Sequence, residues 1–457
     1  VPYLTAESTT TTRTSLAQAH ALLTGDVGFS SPFASNPIGF AAGGEYRKYT
    51  ASQRADSLAQ ANDLGGAGGA SPNIDGGYQV SEAFGEIIAP LIENRPFFQL
   101  LSVEGGIRYS HYKVDSANSP TFNTTTYKGG ATWEPANGIK LRGTYQRAVR
   151  APNISELFSP QNTTLTNLAT DPCAGALPTT NANLRAVCLG QGAPIGSIGS
   201  IADPTSAQAN ITTGGNLNLR PEKADSYTLG LVLQPQQLIP GFSVTVDYYN
   251  IKVKGAITTP TPGDIISACF GPAPYTSVSA AAATNPACTS IRRNSNTGAL
   301  DGLAALAPGL FGALSNLGTL KTDGIDLGVN YRRDLGFTKL SLQFQGNWTN
   351  SSKFQATPSA LNRDCTGYYS INCASIQPEF AWNTRATFSF DAIDLSVLWR
   401  HIDGVRYEPV AGTLYSGVVN PLGGGTYDLN RIPAYNFIDM SARFNVADNF
   451  DLTITVQ

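Results

Sequence analysis

The chain has no apolar run approaching the roughly eighteen residues that a membrane-crossing helix requires, which excludes a helical membrane protein. Charge is also scarce. Only 14% of the 457 residues are Asp, Glu, Lys or Arg, and Gly (46 residues), Thr, Ser and Asn take their place, so good helix formers are few. The net charge of −3 supplies no basic field, which argues against nucleic acid as a partner. The three histidines (His20, His111 and His401) lie far apart and no CxxC spacing occurs, so a zinc centre is not expected. GxSxG, HExxH and Walker strings are absent too, and with them the usual signs of an enzyme or a resident cofactor. His111 and His401 could serve a hydrolase on the outer wall of a barrel, but each reads more simply as an interfacial residue. The glycine run at 65–69 has no strand before it and no helix after it, so it reads as a flexible surface loop and not as a phosphate cradle.

What the chain has in abundance is alternation of period two, the pattern of strands whose successive side chains face opposite ways. Leu101, Val103, Ile107 and Tyr109 oppose Ser102, Glu104 and Arg108, and Ile139, Leu141 and Tyr145 oppose Lys140, Arg142 and Gln146. The same holds for Leu340, Leu342, Phe344 and Trp348 against Lys339, Ser341, Gln343, Gln345 and Asn347, and for Ile438, Met440 and Phe444 against Asp439, Ser441 and Arg443. About fourteen such strands are expected, centred near residues 18, 44, 84, 106, 127, 144, 229, 248, 328, 343, 385, 398, 440 and 454.

A half-buried soluble sheet also alternates, and the connections separate the two cases. Short turns such as residues 134–138, 234–241, 334–336 and 391–393 alternate with long connections near 150–224, 255–323, 351–379 and 403–435. Strand direction alternates as well, so the long connections gather on one rim and the turns on the other, as in an outer-membrane barrel with extracellular loops and periplasmic turns. The fold class is therefore all-β, an antiparallel transmembrane barrel whose outer partner is membrane lipid. Tyr109, Tyr112, Trp133, Tyr248, Tyr249, Tyr331, Trp348 and Trp399 are expected in interfacial girdles. The polar phase makes Arg108, Arg142, Asp247, Asn347, Arg385 and Asp439 candidate lumen residues, each more readily a salt-bridging or plug-contacting group than a solute ligand. Six cysteines fall in close pairs within the long connections, Cys173 with Cys188, Cys269 with Cys288, and Cys365 with Cys373. Local disulfides in an oxidising compartment are the simplest reading, although sequence alone does not fix connectivity.

Two strings are more specific. Residues Arg147 to Pro160 read RAVRAPNISELFSP, carrying Arg147, Arg150, Ala151, Pro152, Asn153, Glu156, Leu157 and Phe158; residues Gly215 to Gly230 read GNLNLRPEKADSYTLG, carrying Pro221 and Glu222. With VDYYNIKVKGAI from Val246 and KTDGIDLGVNY from Lys321, they resemble the barrel of TonB-dependent outer-membrane receptors, at the strand that leaves for a long loop and the strand that returns. The resemblance implies structural roles for the motif residues. It also implies a 22-stranded barrel with an N-terminal plug, and energy delivered by the TonB complex through a short TonB box ahead of that plug. On that view residues 1–457 are a partial barrel domain, with about seven strands before Val1, about one after Gln457, and the plug outside the chain. A sheet of fourteen strands with bare edges would not stand alone in lipid. The implied function is energised uptake of a scarce solute such as a glycan, siderophore or cobalamin, with loops poor in charge leaning towards neutral glycans. The alternatives are a passive porin-like channel and a surface-binding barrel that acts as adhesin or phage receptor.

Overall fold

The computed structural model describes residues 6–457 except 62, 65–69, 272–273, 359, 371–372, 374–375, 409–417, 420–425, 428–429 and 448, so the expected glycine loop at 65–69 lies outside the described residues. All the expected strands form. They are β1 (Thr10–Ser30), β2 (Pro37–Ala55), β3 (Ile74–Arg95), β4 (Phe98–Val114), β5 (Thr121–Ala136), β6 (Ile139–Arg150) and β7 (Glu222–Leu233). The wall continues with β8 (Phe242–Thr258), β9 (Ser315–Asp334), β10 (Lys339–Gln355), β11 (Phe380–Ser389), β12 (Ile393–Ile402), β13 (Tyr435–Ala447) and β14 (Phe450–Val456). Each strand pairs antiparallel with its chain neighbour, so spatial order follows chain order. Among the described residues β1 and β14 are each paired on one side only.

Strand sequence explains the local departures from regular pairing. Pro90 in β3 and Pro135 in β5 can give no ladder hydrogen bond, and each lies at a register shift, between Pro90 and Ile92 and between Trp133 and Ala136. At the turn from β5 to β6, Gly138 takes φ +83°, and a Cβ there would lie 2.3 Å from the Gln234 carbonyl oxygen, so both conformation and space demand glycine.

Pairing carries the alternation unbroken from strand to strand. Arg142 stands opposite Gly230, Gly230 opposite Asp247, Asp247 opposite Asp326 and Asp326 opposite Asn347, forming one row on the polar face. The other face is apolar and bare: Ile107 is 60% exposed, Leu229 61% and Met440 56%. A soluble sheet would cover these side chains; a membrane wall leaves them for lipid. Two aromatic expectations need correction. Tyr112 is buried on the polar face, and Tyr249 reaches Asn347 there, because Tyr248 and Tyr249 are consecutive and strand geometry sends them to opposite sides.

Antiparallel neighbours force connections to alternate between rims. One rim carries residues 31–36, 96–97, 137–138, 234–241, 335–338, 390–392 and 448–449; the other carries 56–73, 115–120, 151–221, 259–314, 356–379 and 403–434. The strands run further into the long-connection side than expected, since β8 continues to Thr258 and β9 begins at Ser315. The connections themselves are not structureless. Residues 151–221 and 259–314 fold together into a cap with short helices and a three-stranded sheet made of Asn162–Asn167, Gln208–Gly214 and Leu310–Ala313. Its core joins Leu184, Val187 and Ile201 of the first connection to Ile266, Phe270 and Leu300 of the second. The three disulfides are local, Cys173 to Cys188, Cys269 to Cys288 and Cys365 to Cys373.

Candidate functional site

The polar face of the wall is tied together by side chains that meet across an intervening strand. Arg142 of β6 donates to Asp247 of β8 at 2.7, 2.9 and 3.0 Å, although β7 runs between them. The contact is possible because β7 presents Gly230 at that point. A Cβ on Gly230 would lie 2.1 Å from Asp247 Oδ1 and 2.8 Å from Arg142 Nε. Three further glycines open the same kind of gap. Lys128 of β5 meets Glu86 of β3 at 3.1 Å over Gly106 of β4. Tyr249 of β8 accepts a hydrogen bond from Asn347 of β10 at 3.2 Å over Gly324 of β9. His20 of β1 stacks with Phe84 of β3 over Gly43 of β2, ring centroids 6.0 Å apart. Each glycine removes one side chain from a row and lets its neighbours on either hand close the space.

Of the candidate lumen residues, Arg142 and Asp247 are brought into direct contact, and Asn347 joins their row by donating to Asp326 at 2.7 Å. Arg108 lies over the Phe84 ring, 4.6 Å from its centroid, and 3.4 Å from Glu82. Arg385 donates to Ser396 at 2.9 Å, and Asp439 pairs with Arg400 at 2.9 Å. Arg385 and Asp439 occupy one register row with Leu398 between them, and no direct contact joins them among the described residues. Sequence reading missed Glu82, a buried carboxylate that gathers Arg47, Arg108 and the Ser110 hydroxyl, the last at 2.5 Å. It missed Arg400 and the four glycines as well. Phase alone could have found Arg400 and Glu82; the glycines become visible only once register is known.

The RAPN segment works as a clasp. Arg150, at the end of β6, donates to Glu156 just beyond it at 3.0 Å, and to Glu222, where the chain re-enters, at 2.7 and 2.8 Å. Asn153 caps the short helix Ile154–Phe158 by accepting from the Glu156 backbone N–H, while the Glu156 carboxylate accepts from the Asn153 N–H in return, a reciprocal capping box. Leu157 is buried with Val114 and Leu219, and the Phe158 ring fills the space beside Gly76, where a Cβ would meet it at 2.3 Å. Arg147 pairs with Asp225 at 2.7 Å. Pro152 is fully buried, Ala151 lies at the exit from β6, and Pro221 directly precedes the returning strand.

In the cap, Arg293 and Asp171 form an ion pair of 2.6 and 2.7 Å with neither side chain exposed, and Arg293 also donates to Gln191 Oε1 at 2.7 Å and to the Gly298 carbonyl at 3.0 Å. Asp264, held by Arg363 at 3.2 Å, ties the cap to the connection after β10. Burial against the cap core, with Asp171 and Asp203 nearby, pushes the Tyr275 phenol above its ordinary range.

The family model of the TonB-dependent receptor-like β-barrel matches residues 2–457. Among solved structures, the chain is similar to a mutant of the ferric enterobactin receptor of Pseudomonas aeruginosa, with 11% identity and a TM-score of 0.55, covering 97% of this chain and 48% of that one. It is similar also to the siderophore receptor PirA of Acinetobacter baumannii, with 13% identity and a TM-score of 0.51, covering 96% of this chain and 49% of that one. No curated relative matches in sequence. The chain thus spans about half the length of those structures, whose likeness at such identity is one of fold. A barrel wall matched over nearly all of its length places the chain among the TonB-dependent receptors, a family of outer-membrane transport barrels.

Proposed function

We propose that this chain forms wall and outer loops of a receptor that takes up a scarce solute at the expense of energy delivered by the TonB complex. The observation that carries the reading is the family match over residues 2–457, which is joined to a polar face on which charges meet each other, Arg142 with Asp247 and Arg400 with Asp439. Such a face suits a lumen that holds a plug and releases it on demand, because charges paired to the wall leave few fixed strong sites to trap a passing solute. The long-connection rim faces the cell exterior, where the cap and the disulfides hold the capture surface in shape at low entropic cost.

The solute class we favour is neutral and polar, an oligosaccharide before an anionic metal chelate. Residues 151–221 and 259–314 carry five acidic residues and four basic ones, with Asp171, Arg293 and Asp264 consumed in buried pairs, so the cap presents no net cationic field to gather polyanions. A strain lacking the gene should lose growth on its cognate carbon source at limiting concentration, and recover it when the complete receptor is restored. Growth lost only on ferric chelates would overturn the substrate class and leave the uptake reading standing.

A further inference from the structure

The polar face of the wall changes character at its long-connection end. Along β8 the phase of Asp247 and Tyr249 continues towards the rim with Ile251 and Val253, and pairing sets Leu320 of β9 opposite Val253 and Phe354 of β10 opposite Leu320. Four apolar side chains thus stand together on the face that elsewhere carries paired charges. They line a recess of about 490 Å³, bounded on another side by the disulfide of Cys365 and Cys373. Ile251 is 36% exposed and Leu320 38%, so the recess can be reached from solvent and is not a sealed core. Thr322 and Ser352, one step nearer the middle of the wall, and Gln377 of the connection after β10 place hydroxyl and amide groups at its border. Lys321 and Lys353 also border it, but their strand phase carries the ammonium groups to the other face. Among the described residues, no charged side chain of the wall turns into the recess.

The disulfide side of the recess is firmly held. The Cys365 N–H donates to the Ser352 carbonyl at 2.8 Å, and Arg363, paired opposite Phe354, is buried between Asp264 of the cap at 3.2 Å and Glu408 of the last long connection at 3.4 Å. Three long connections therefore meet at one guanidinium, and the recess has fixed walls. Clefts that take small molecules measure roughly 300–1,000 Å³, so this one suits part of a small solute and is too small for a folded element. Its lining decides the chemistry. A wholly hydroxylated sugar would bury polar groups against Ile251, Leu320 and Phe354 without return, whereas an apolar group gains by leaving water there. We propose that the recess receives an aryl or short alkyl group carried by an otherwise neutral, polar solute, and so selects substituted glycans over bare ones. The proposal rests on the reading of the chain as an uptake receptor and narrows its solute class. Arg363 acts as a positioning residue, since it touches no part of the solute and fixes the segment that walls the recess.

The test uses the complete receptor in phosphatidylcholine nanodiscs, with empty nanodiscs as blank, and two neutral probes that share one sugar, phenyl β-D-glucopyranoside and methyl β-D-glucopyranoside. The parent should bind the phenyl probe at least about tenfold more tightly than the methyl probe. In the I251T/L320T variant, which keeps β-branched residues in the strands but adds hydroxyls to the recess, the preference should fall to about threefold or less. The I251V/L320I variant should keep it. Retarded migration of unheated samples on gels reports whether each variant is folded. Photolabelling of the unmutated receptor with 4-azidophenyl β-D-glucopyranoside should place the label on peptides containing Leu320, Phe354 or residues 365–377, and this carries the test if the threonine variant does not fold. No preference for the phenyl probe in the parent, a full preference in the folded threonine variant, its loss in the folded conservative variant, or a label placed elsewhere would overturn the site. None of these readouts requires energised transport, so their failure leaves the uptake reading standing, while uptake insensitive to an uncoupler would overturn that reading whatever the binding ratios.

Discussion

The wall and the cap hold themselves together by opposite means. Across β1 to β14 most large apolar side chains face outward and polar ones face each other, so among the described residues the wall buries only a few apolar side chains such as Val80 and Val114, and cohesion lies mainly in ladder hydrogen bonds and in contacts such as Arg142 with Asp247. In the cap the ordinary arrangement returns: Leu184, Phe270, Ile291 and Leu300 are fully buried, two disulfides lie within the core, and the buried ion pair is hydrogen-bonded on every side. The wall is built for lipid outside it, and the cap for water around it. Damage to one should therefore leave the other standing.

The largest effect is expected at the cap's ion pair. Arg293→Ala leaves Asp171 buried and uncompensated, and should cost the cap about 3–5 kcal/mol. Protease digestion of cells should then cut within residues 151–221 and 259–314 while the barrel still migrates as folded; an unfolded barrel would break the division. Next comes the pair of cysteines fifteen positions apart, Cys173 and Cys188. Replacing both by serine should lower cap stability by about 3 kcal/mol, again without loss of the wall, as measured by limited proteolysis at rising temperature.

A smaller effect, confined to the wall, is expected from Gly230→Ala, whose new methyl group would occupy the space through which Arg142 reaches Asp247. A destabilisation of about 1–3 kcal/mol should appear in the unfolding of the reconstituted barrel, with the cap's protease pattern unchanged. A double-mutant cycle between Gly230→Ala and Asp247→Asn should be strongly non-additive, and additivity would mean that the gap has no such role. Smallest is Asn153→Ala, which removes the cap of the helix at Ile154–Phe158 and should cost about 1 kcal/mol. It sits where wall passes into cap, so local hydrogen exchange around residues 154–158 should rise while exchange in both regions stays as before.

The sequence discloses the wall far better than the cap, and the reason is physical. A lipid-facing strand needs an apolar residue at every second position, so the constraint is written locally, and every strand from β1 to β14 lies where alternation places it. Candidate lumen residues follow from the same phase, which is why Arg142 and Asp247 could be named although 105 positions separate them. Their meeting could not be foreseen, because it depends on which residue of β7 stands between them. The cap core joins residues about a hundred positions apart, as in the Gln191 side chain on the Cys288 carbonyl, and its helices are too short for a periodic signal. The local traces present were the capping boxes, Asn153 with Glu156 and Thr261 with Asp264, each three residues apart.

The measurement that bears most directly on this account is uptake of a labelled cognate oligosaccharide by intact cells carrying the complete receptor, with and without an uncoupler of the inner-membrane proton gradient. Energised uptake predicts accumulation that collapses when the gradient is removed, while binding at the cell surface persists. Accumulation that continues unchanged in the presence of the uncoupler would mean a passive pore, and would contradict the account.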